Sequence, residues 1–261
     1  MGFVIKGFTI VLLQLALTTV DAGTIMHVQP IRNFVLAVEP DKSCGELCKR
    51  THSTFPTIVW EATCGDMCQL TMAPVPSFLW GAACVGGFVF LLLLHAAKHQ
   101  HPENLVLLFL FTLNESYIIG VACASVQEAG LGHAVHSAAF ATVGLLVFLV
   151  GTAFVTRRVL LQKKELDWAL FLLMSTLFFL VMYSVVNLIA VNHVISLPMT
   201  LLGIFCFSCF IVFDTWRLMN ELGPDDYIVA AISLDLDVLN LFLEILKLFL
   251  KIAAEAQKKH E

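Results

Sequence analysis

Seven long apolar runs constrain this chain more than any other feature of its sequence. Each run is long enough to cross the roughly 30 Å hydrocarbon core of a bilayer as an α-helix. They cover residues 3–22, 77–97, 105–126, 134–156, 168–190, 198–219 and 228–250. Because short polar links join several of them, we expect consecutive helices to pack as antiparallel neighbours in one bundle. The sequence therefore predicts an all-α polytopic membrane protein with seven helices.

The composition supports this class and excludes others. Hydrophobic residues make up 59% of the 261 residues and charged residues only 13%, far from the soluble globular range. The net charge is -5, and the Lys and Arg residues form no basic patch, so nucleic acid is not an expected partner. The expected partner is the lipid bilayer, which leaves transport, signalling or chemistry in the lipid phase as functions.

The chain divides into four segments. Residues 1–22 are predicted to form the first transmembrane helix, 23–76 a luminal loop, 77–250 the other six helices and 251–261 a basic tail. The first segment also resembles a signal peptide, because Lys6 precedes the apolar stretch and the small residue Ala22 ends it. Both interpretations place the following loop in the lumen.

The C-terminal tail conflicts with an odd number of spans. Its basic residues Lys251, Lys258 and Lys259 favour the cytosol, whereas seven full spans beginning in the cytosol place the tail in the lumen. A re-entrant last segment resolves the conflict, provided that neighbouring helices enclose it. We therefore treat residues 228–250 as a candidate re-entrant helix.

Two acids lie within the last two apolar runs. Asp214 is near the end of the run that begins at Pro198, and Asp237 is about midway along the last run. An ionisable residue at membrane depth is costly and by default marks function. Asp214 has Arg217 three residues on, so an ion pair near a helix end is the alternative for that residue. Asp237 lies too deep in its run for its side chain to reach the membrane interface.

Further polar residues accompany these acids. On a helix, one stripe of the last run would contain Ser233, Asp237, Asn240, Glu244, Lys247 and Lys251. The stripe must face protein or water, and Asp235 lies off it. Glu115 is another acid, in the third run. Its alternative is a protonated carboxyl that is hydrogen-bonded through Asn114 or Ser116 and contacts no ion.

The luminal loop contains a near-repeat of two Cys-x-x-x-Cys motifs. The motifs begin at Cys44 and at Cys64. The arrangement resembles the twin Cys-x-x-x-Cys helical hairpins that two disulfides staple, which would pair Cys44 with Cys68 and Cys48 with Cys64. An oxidising lumen suits disulfides, while zinc ligation and free thiols remain alternatives.

Several motifs resemble the transmembrane Bax-inhibitor-motif family. The C-terminal matches are Phe213-Asp214-Thr215, Leu222-Gly223-Pro224-Asp225-Asp226-Tyr227, Ala230-Ala231-Ile232-Ser233-Leu234, Leu236-Asp237 and Asn240-Leu241-Phe242-Leu243. Pro102-x-Asn104-Leu105, Phe111-Thr112 and Glu115 resemble its third helix, and Gln14-Leu15 with Leu17-Thr18-Thr19-Val20 resembles the first helix of its Golgi anti-apoptotic (lifeguard) branch. The resemblance spans nearly the whole membrane region.

This resemblance implies a seven-helix bundle that leaks calcium, responds to pH and protects cells from apoptosis. By motif position, Asp214 and Asp237 would form a pH-sensing dyad that holds calcium transiently, with no resident cofactor. The latch candidates are Lys98 and Arg217, and the ion-pathway candidates are Glu115, Asp235, Asn240 and Glu244. Lys98 stands where relatives tend to have Arg, and Asp235 where they have Tyr.

The implied location is the Golgi or the endoplasmic reticulum, with the plasma membrane as an alternative. Expected partners besides calcium are apoptosis regulators or calcium-store receptors. We expect no enzymatic activity. An intramembrane aspartyl protease is the competing enzyme hypothesis, but Leu234-Asp235-Leu236-Asp237 is not the Gly-x-Gly-Asp of such proteases. A seven-helix receptor rests on the number of helices alone.

Overall fold

The computed structural model describes residues 2–36, 77–97, 103–156, 197–220 and 227–257, together with 176, 177 and 180. These residues form helices and no strand. The helices are α1 (Gly2–His27), α2 (Gln29–Leu36), α3 (Ser77–Ala96), α4 (Glu103–Glu128), α5 (Gly132–Thr156), α6 (Leu197–Asn220) and α7 (Tyr227–Gln257). Six of them coincide with predicted apolar runs, whereas α2 was not predicted. The run at 168–190 lies almost wholly outside the described residues.

Five of the described helices are long and apolar enough to cross a membrane: α1, α3, α4, α5 and α6. The all-α, multi-pass class is thereby confirmed. The apolar part of α7 is different because it carries the four charged side chains Asp235, Asp237, Glu244 and Lys247. Although α7 has this polar content, it is one unbroken helix of 31 residues. The structure therefore gives no support to a re-entrant last segment, which would reverse direction within the membrane.

Local sequence signals explain where α4 starts and stops. Glu103 lies in its first turn, where a carboxylate interacts favourably with the positive end of the helix dipole. At the other end, Gly130 adopts a φ of 77°, a conformation that glycine reaches without steric cost. The Gly130 amide donates to the Gln127 carbonyl at 3.0 Å, and the Leu131 amide donates to the Val126 carbonyl at 3.1 Å. This pair of bonds is a Schellman motif, which ends α4 and turns the chain into α5.

The helices belong to two compact units. The first comprises Met1–Leu15, Leu93–Leu108 and His133–Glu261. Within it α6 packs along α7, and the Phe8 ring of α1 lies 5.8 Å from the Phe154 ring of α5. The second unit comprises Ala16–Leu92 and Phe109–Gly132.

A small hydrophobic cluster organises the second unit around α2. Val35 and Leu36 are buried against Val121 and Ala124 of α4. Ile25 of α1 and Tyr117 of α4 pack on the same cluster. This short helix is therefore fixed near the ends of two helices that are able to span a membrane.

Candidate functional site: an acidic pair between the last two helices

The structure brings the two predicted acids together within the first unit. Asp214 on α6 and Asp237 on α7 are both only partly exposed, and they lie close enough for the charge of one to act on the other. The Asp237 Oδ2 atom is fully enclosed and has no hydrogen-bond partner among the described residues. Two neighbouring carboxyls, one of them with an enclosed oxygen, cannot both ionise cheaply, so the pair is suited to sharing one proton.

Two groups lie within electrostatic range of this pair. The exposed guanidinium of Arg217, one turn further along α6, lies within electrostatic range of Asp214. The Cys206 thiol lies within range of Asp237. Thr215 is fully buried, and its hydroxyl has no hydrogen-bond partner among the described residues. The pair therefore lies between two packed helices, and among the described residues one exposed cation, Arg217, lies beside it.

The other end of the polar stripe meets α6 at a glycine. A Cβ atom at Gly203 would come within 2.9 Å of the Glu244 Cγ and Cδ atoms, so only a residue without a side chain allows this approach. One Glu244 carboxylate oxygen accepts from the Lys247 ammonium at 2.7 Å. Asn240 lies between Asp237 and Glu244 on the same face of α7 and is partly buried.

Asp235 has a different environment from the pair. It is fully buried, and its Oδ2 atom accepts a hydrogen bond from the Gln14 side-chain amide of α1 at 3.3 Å. Two positions along a helix turn the side chain by about 200°, so Asp235 and Asp237 leave α7 on different faces. The structure thus separates this ion-pathway candidate from the acidic pair and places it in a contact between α1 and α7.

Glu115 belongs to the second unit. The side chain of its neighbour Asn114 hydrogen-bonds to it and also donates to the Ala83 carbonyl of α3 at 3.0 Å. A Cβ atom at Gly87 of α3 would come within 2.9 Å of a Glu115 oxygen, so the missing side chain makes room for the carboxyl. The bond to Asn114 is the one expected under the alternative in which Glu115 is a hydrogen-bonded structural acid.

Ser116 contributes to helix contacts within the second unit. Its hydroxyl lies 3.3 Å from the Thr18 hydroxyl of α1 and donates to the Thr112 carbonyl at 2.7 Å. Ser116 thus joins α1 to α4, and of the two partners considered for Glu115 it is Asn114 that hydrogen-bonds to it.

Other predicted residues lie outside the described part of the chain. They are the latch candidate Lys98 and the luminal cysteines Cys44, Cys48, Cys64 and Cys68. The described cysteines are free thiols. Among the described residues, no three His, Cys, Asp or Glu side chains cluster as metal ligands. Calcium at the acidic pair would accordingly need carbonyl or water oxygens besides the two carboxylates.

Comparison with known protein families assigns this apolar helical protein to a family. The family model described as inhibitor of apoptosis-promoting Bax1 matches residues 1–254. The chain belongs to this Bax1-inhibitor family. The resemblance noted in the motifs is thereby confirmed over nearly the whole chain.

Relatives within the Bax1-inhibitor family come from animals, plants and viruses. The chain is 32% identical over 244 residues to protein lifeguard 4 of Mus musculus, covering 93% of this chain and 82% of the mouse protein. It is 33% identical over 156 residues to the Golgi anti-apoptotic protein of Vaccinia virus (strain Lister), covering 60% of this chain and 61% of the viral protein. A BI1-like protein of Arabidopsis thaliana is 30% identical over 161 residues, which is 59% of this chain and 58% of the plant protein. No solved structure matches the chain.

Some residues with structural roles in this Bax1-inhibitor chain are not evident from the sequence. Gln14 is an isolated polar residue in an apolar run, and this was the available signal for its contact with Asp235. Arg32 pairs with Glu128 across the second unit, but both lie in segments that the apolar pattern treats as links. Gly203 is one of many small residues in membrane helices, so nothing in the sequence singles it out.

Proposed function

We propose that this Bax1-inhibitor protein is a pH-sensitive calcium leak channel of an internal membrane, the Golgi in particular, that lowers store calcium and thereby inhibits apoptosis. The single observation that carries the proposal is the closeness of Asp214 and Asp237 on two packed helices. The family membership and the Golgi anti-apoptotic relative support the location and the effect on apoptosis.

In the proposed mechanism, proton occupancy of the pair determines whether calcium passes. A shared proton joins Asp214 to Asp237 and holds α6 against α7. When the pH rises, this proton leaves, the two carboxylates repel each other, and the freed oxygens attract calcium. Strong acid instead neutralises both groups and weakens calcium binding. Arg217 stabilises the closed form, because it lies near Asp214 and balances the remaining charge.

Further residues of the proposed pathway follow from their position on α7. Asn240 and Glu244 share the face of Asp237 and continue the polar surface along the helix. We retain both as pathway candidates. Asp235 is assigned to the contact with Gln14 instead, from which it would affect the pair only by its charge.

The test is calcium flux through purified protein in proteoliposomes, measured across pH. We expect Asp237→Asn and Asp214→Asn each to abolish the pH dependence at little cost in volume. The double variant should be no worse than either single variant, because the two acids act as one coupled unit. Glu255→Gln is the matched control: it makes the same chemical change on an exposed acid of α7 and should retain the parent profile.

Two results would count against the proposal. If both single variants follow the parent's pH profile, the acids are structural and calcium takes another path. If the protein passes no calcium but cleaves reconstituted transmembrane peptides, the two close acids serve an aspartyl protease.

A further inference from the structure

The short helix α2 presents three kinds of surface around its axis. Successive side chains of an α-helix are about 100° apart, so its eight residues sample every direction. One sector, with Arg32, Val35 and Leu36, packs against the rest of the second unit. The next sector contains the exposed polar residues Gln29 and Asn33.

The third sector of α2 is apolar and exposed. Ile31 is 38% exposed and Phe34 is 73% exposed, and Pro30 borders them. Val28, in the joint with α1, is 39% exposed. A helix that packs on protein with one side and faces water with the other does not need an exposed apolar sector. Exposed aromatic and aliphatic side chains are unfavourable in water.

The position of α2 in the chain indicates what covers this third sector. A single residue, Val28, separates the end of α1 at His27 from the start of α2, and α1 is long and apolar enough to cross a membrane. Its buried sector is fixed to Val121 and Ala124, within two turns of the end of α4 at Glu128. The ends of membrane-spanning helices mark the boundary between hydrocarbon and water. α2 therefore lies at that boundary.

The only basic side chain of α2 is held by the protein. Pro30 has no amide hydrogen to donate to the Met26 carbonyl, and the Arg32 guanidinium donates to that carbonyl instead, at 3.1 Å. Arg32 also forms an ion pair with Glu128 at 2.5 Å. Its charge is thus balanced within the protein, and the attraction of α2 for the membrane depends on its apolar sector.

From these observations we propose that α2 is an interfacial helix that inserts Ile31 and Phe34 among the acyl chains next to the lipid headgroups. Gln29 and Asn33 face the headgroups and water. The occupant of the apolar sector is lipid, because α2 continues the surface that α1 already presents to the bilayer. This role is independent of ion permeation.

Fluorescence quenching by lipid tests this placement. Phe34→Trp and the matched control Asn33→Trp are reconstituted separately in phosphatidylcholine bilayers whose acyl chains carry bromine near the ester carbonyls. The signal is the difference from the parent, which has four tryptophans of its own. We expect the fluorescence added by Phe34→Trp to be quenched several-fold more than that added by Asn33→Trp. Equal quenching, or none at position 34, would overturn the proposal.

Photo-cross-linking identifies the neighbour directly and does not depend on either tryptophan variant folding. The exposed position 34 tolerates p-benzoylphenylalanine because the native side chain there makes little packing contact. Mass spectrometry of irradiated protein in bilayers should find phospholipid adducts at this position. Adducts to residues 37–76, or to a second copy of the chain, would overturn the proposal and identify the alternative occupant.

Discussion

The buried hydrogen bond between Gln14 and Asp235 provides a quantitative test of the structure. Gln14 is 5% exposed and Asp235 is fully buried, so neither group has water as a substitute partner. A buried polar group that loses its partner costs about 1–3 kcal/mol in water-soluble proteins. Measured couplings within membrane proteins are smaller, about 0.6 kcal/mol on average and up to about 1.7. Because both partners are enclosed, we expect a coupling of about 1 kcal/mol, or roughly five-fold in the unfolding equilibrium constant.

The assay is a double-mutant cycle on the free energy of unfolding in mixed detergent-lipid micelles. Gln14→Leu and Asp235→Ala each remove one hydrogen-bonding group, the second without adding bulk at a fully buried position, and the double variant removes both. The double variant should cost about 1 kcal/mol less than the sum of the two single variants. A parallel cycle of Gln14→Leu with Thr142→Ala should be additive, because the buried Thr142 hydroxyl donates to the Ala138 carbonyl of its own helix at 2.8 Å. Additivity of Gln14 and Asp235 within about 0.3 kcal/mol would refute the contact.

Three further predictions use the same unfolding assay or the flux assay. Gly120→Ala should destabilise the protein by about 1–3 kcal/mol, because its Cβ would lie within 2.5 Å of the Ile25 Cδ1 atom; Gly144→Ala, where no atom lies within 4 Å, should not, and equal effects would contradict the packing. Arg32→Gln should cost more than Glu128→Gln, since it removes the bond to the Met26 carbonyl as well as a partly exposed ion pair worth at most about 1 kcal/mol; the reverse order would exclude this role. Gly203→Ala should change calcium flux by displacing Glu244, and an unchanged flux would remove Glu244 from the pathway.

The positions of the long helices were predictable because apolar runs of this length have few alternatives to spanning a membrane. The same reasoning identified Asp214 and Asp237, because an ionisable residue at membrane depth is costly and by default marks function. The helix α2 was not predictable in this way. Pro30 and three polar residues give its sequence the character of a loop, and its helical form depends on packing against Val121 and Ala124.

The roles of individual acids depended on partners far away in the sequence. Asp235 lies off the predicted polar stripe, yet it is fully buried, while Asp237 on the stripe is only partly so. Gln14, which is 221 residues away, supplies one hydrogen bond to Asp235 from another helix. Glu115 is likewise defined by Asn114 beside it and by the space that Gly87 leaves on α3. Helix periodicity places a side chain on a face but does not identify the neighbour of that face.

The unbroken course of α7 has a mechanical consequence. Its 31 residues extend about 46 Å, whereas the hydrocarbon core is about 30 Å thick, so some of the helix projects beyond the lipid. Asp237 lies in its first half, and the exposed residues 254–256 lie near its far end. A tilt of this unbroken helix about the acidic pair would displace its far end most, because the displacement grows with distance from the pair. A fluorophore attached after Gln257 would report such a tilt without touching the membrane-embedded residues.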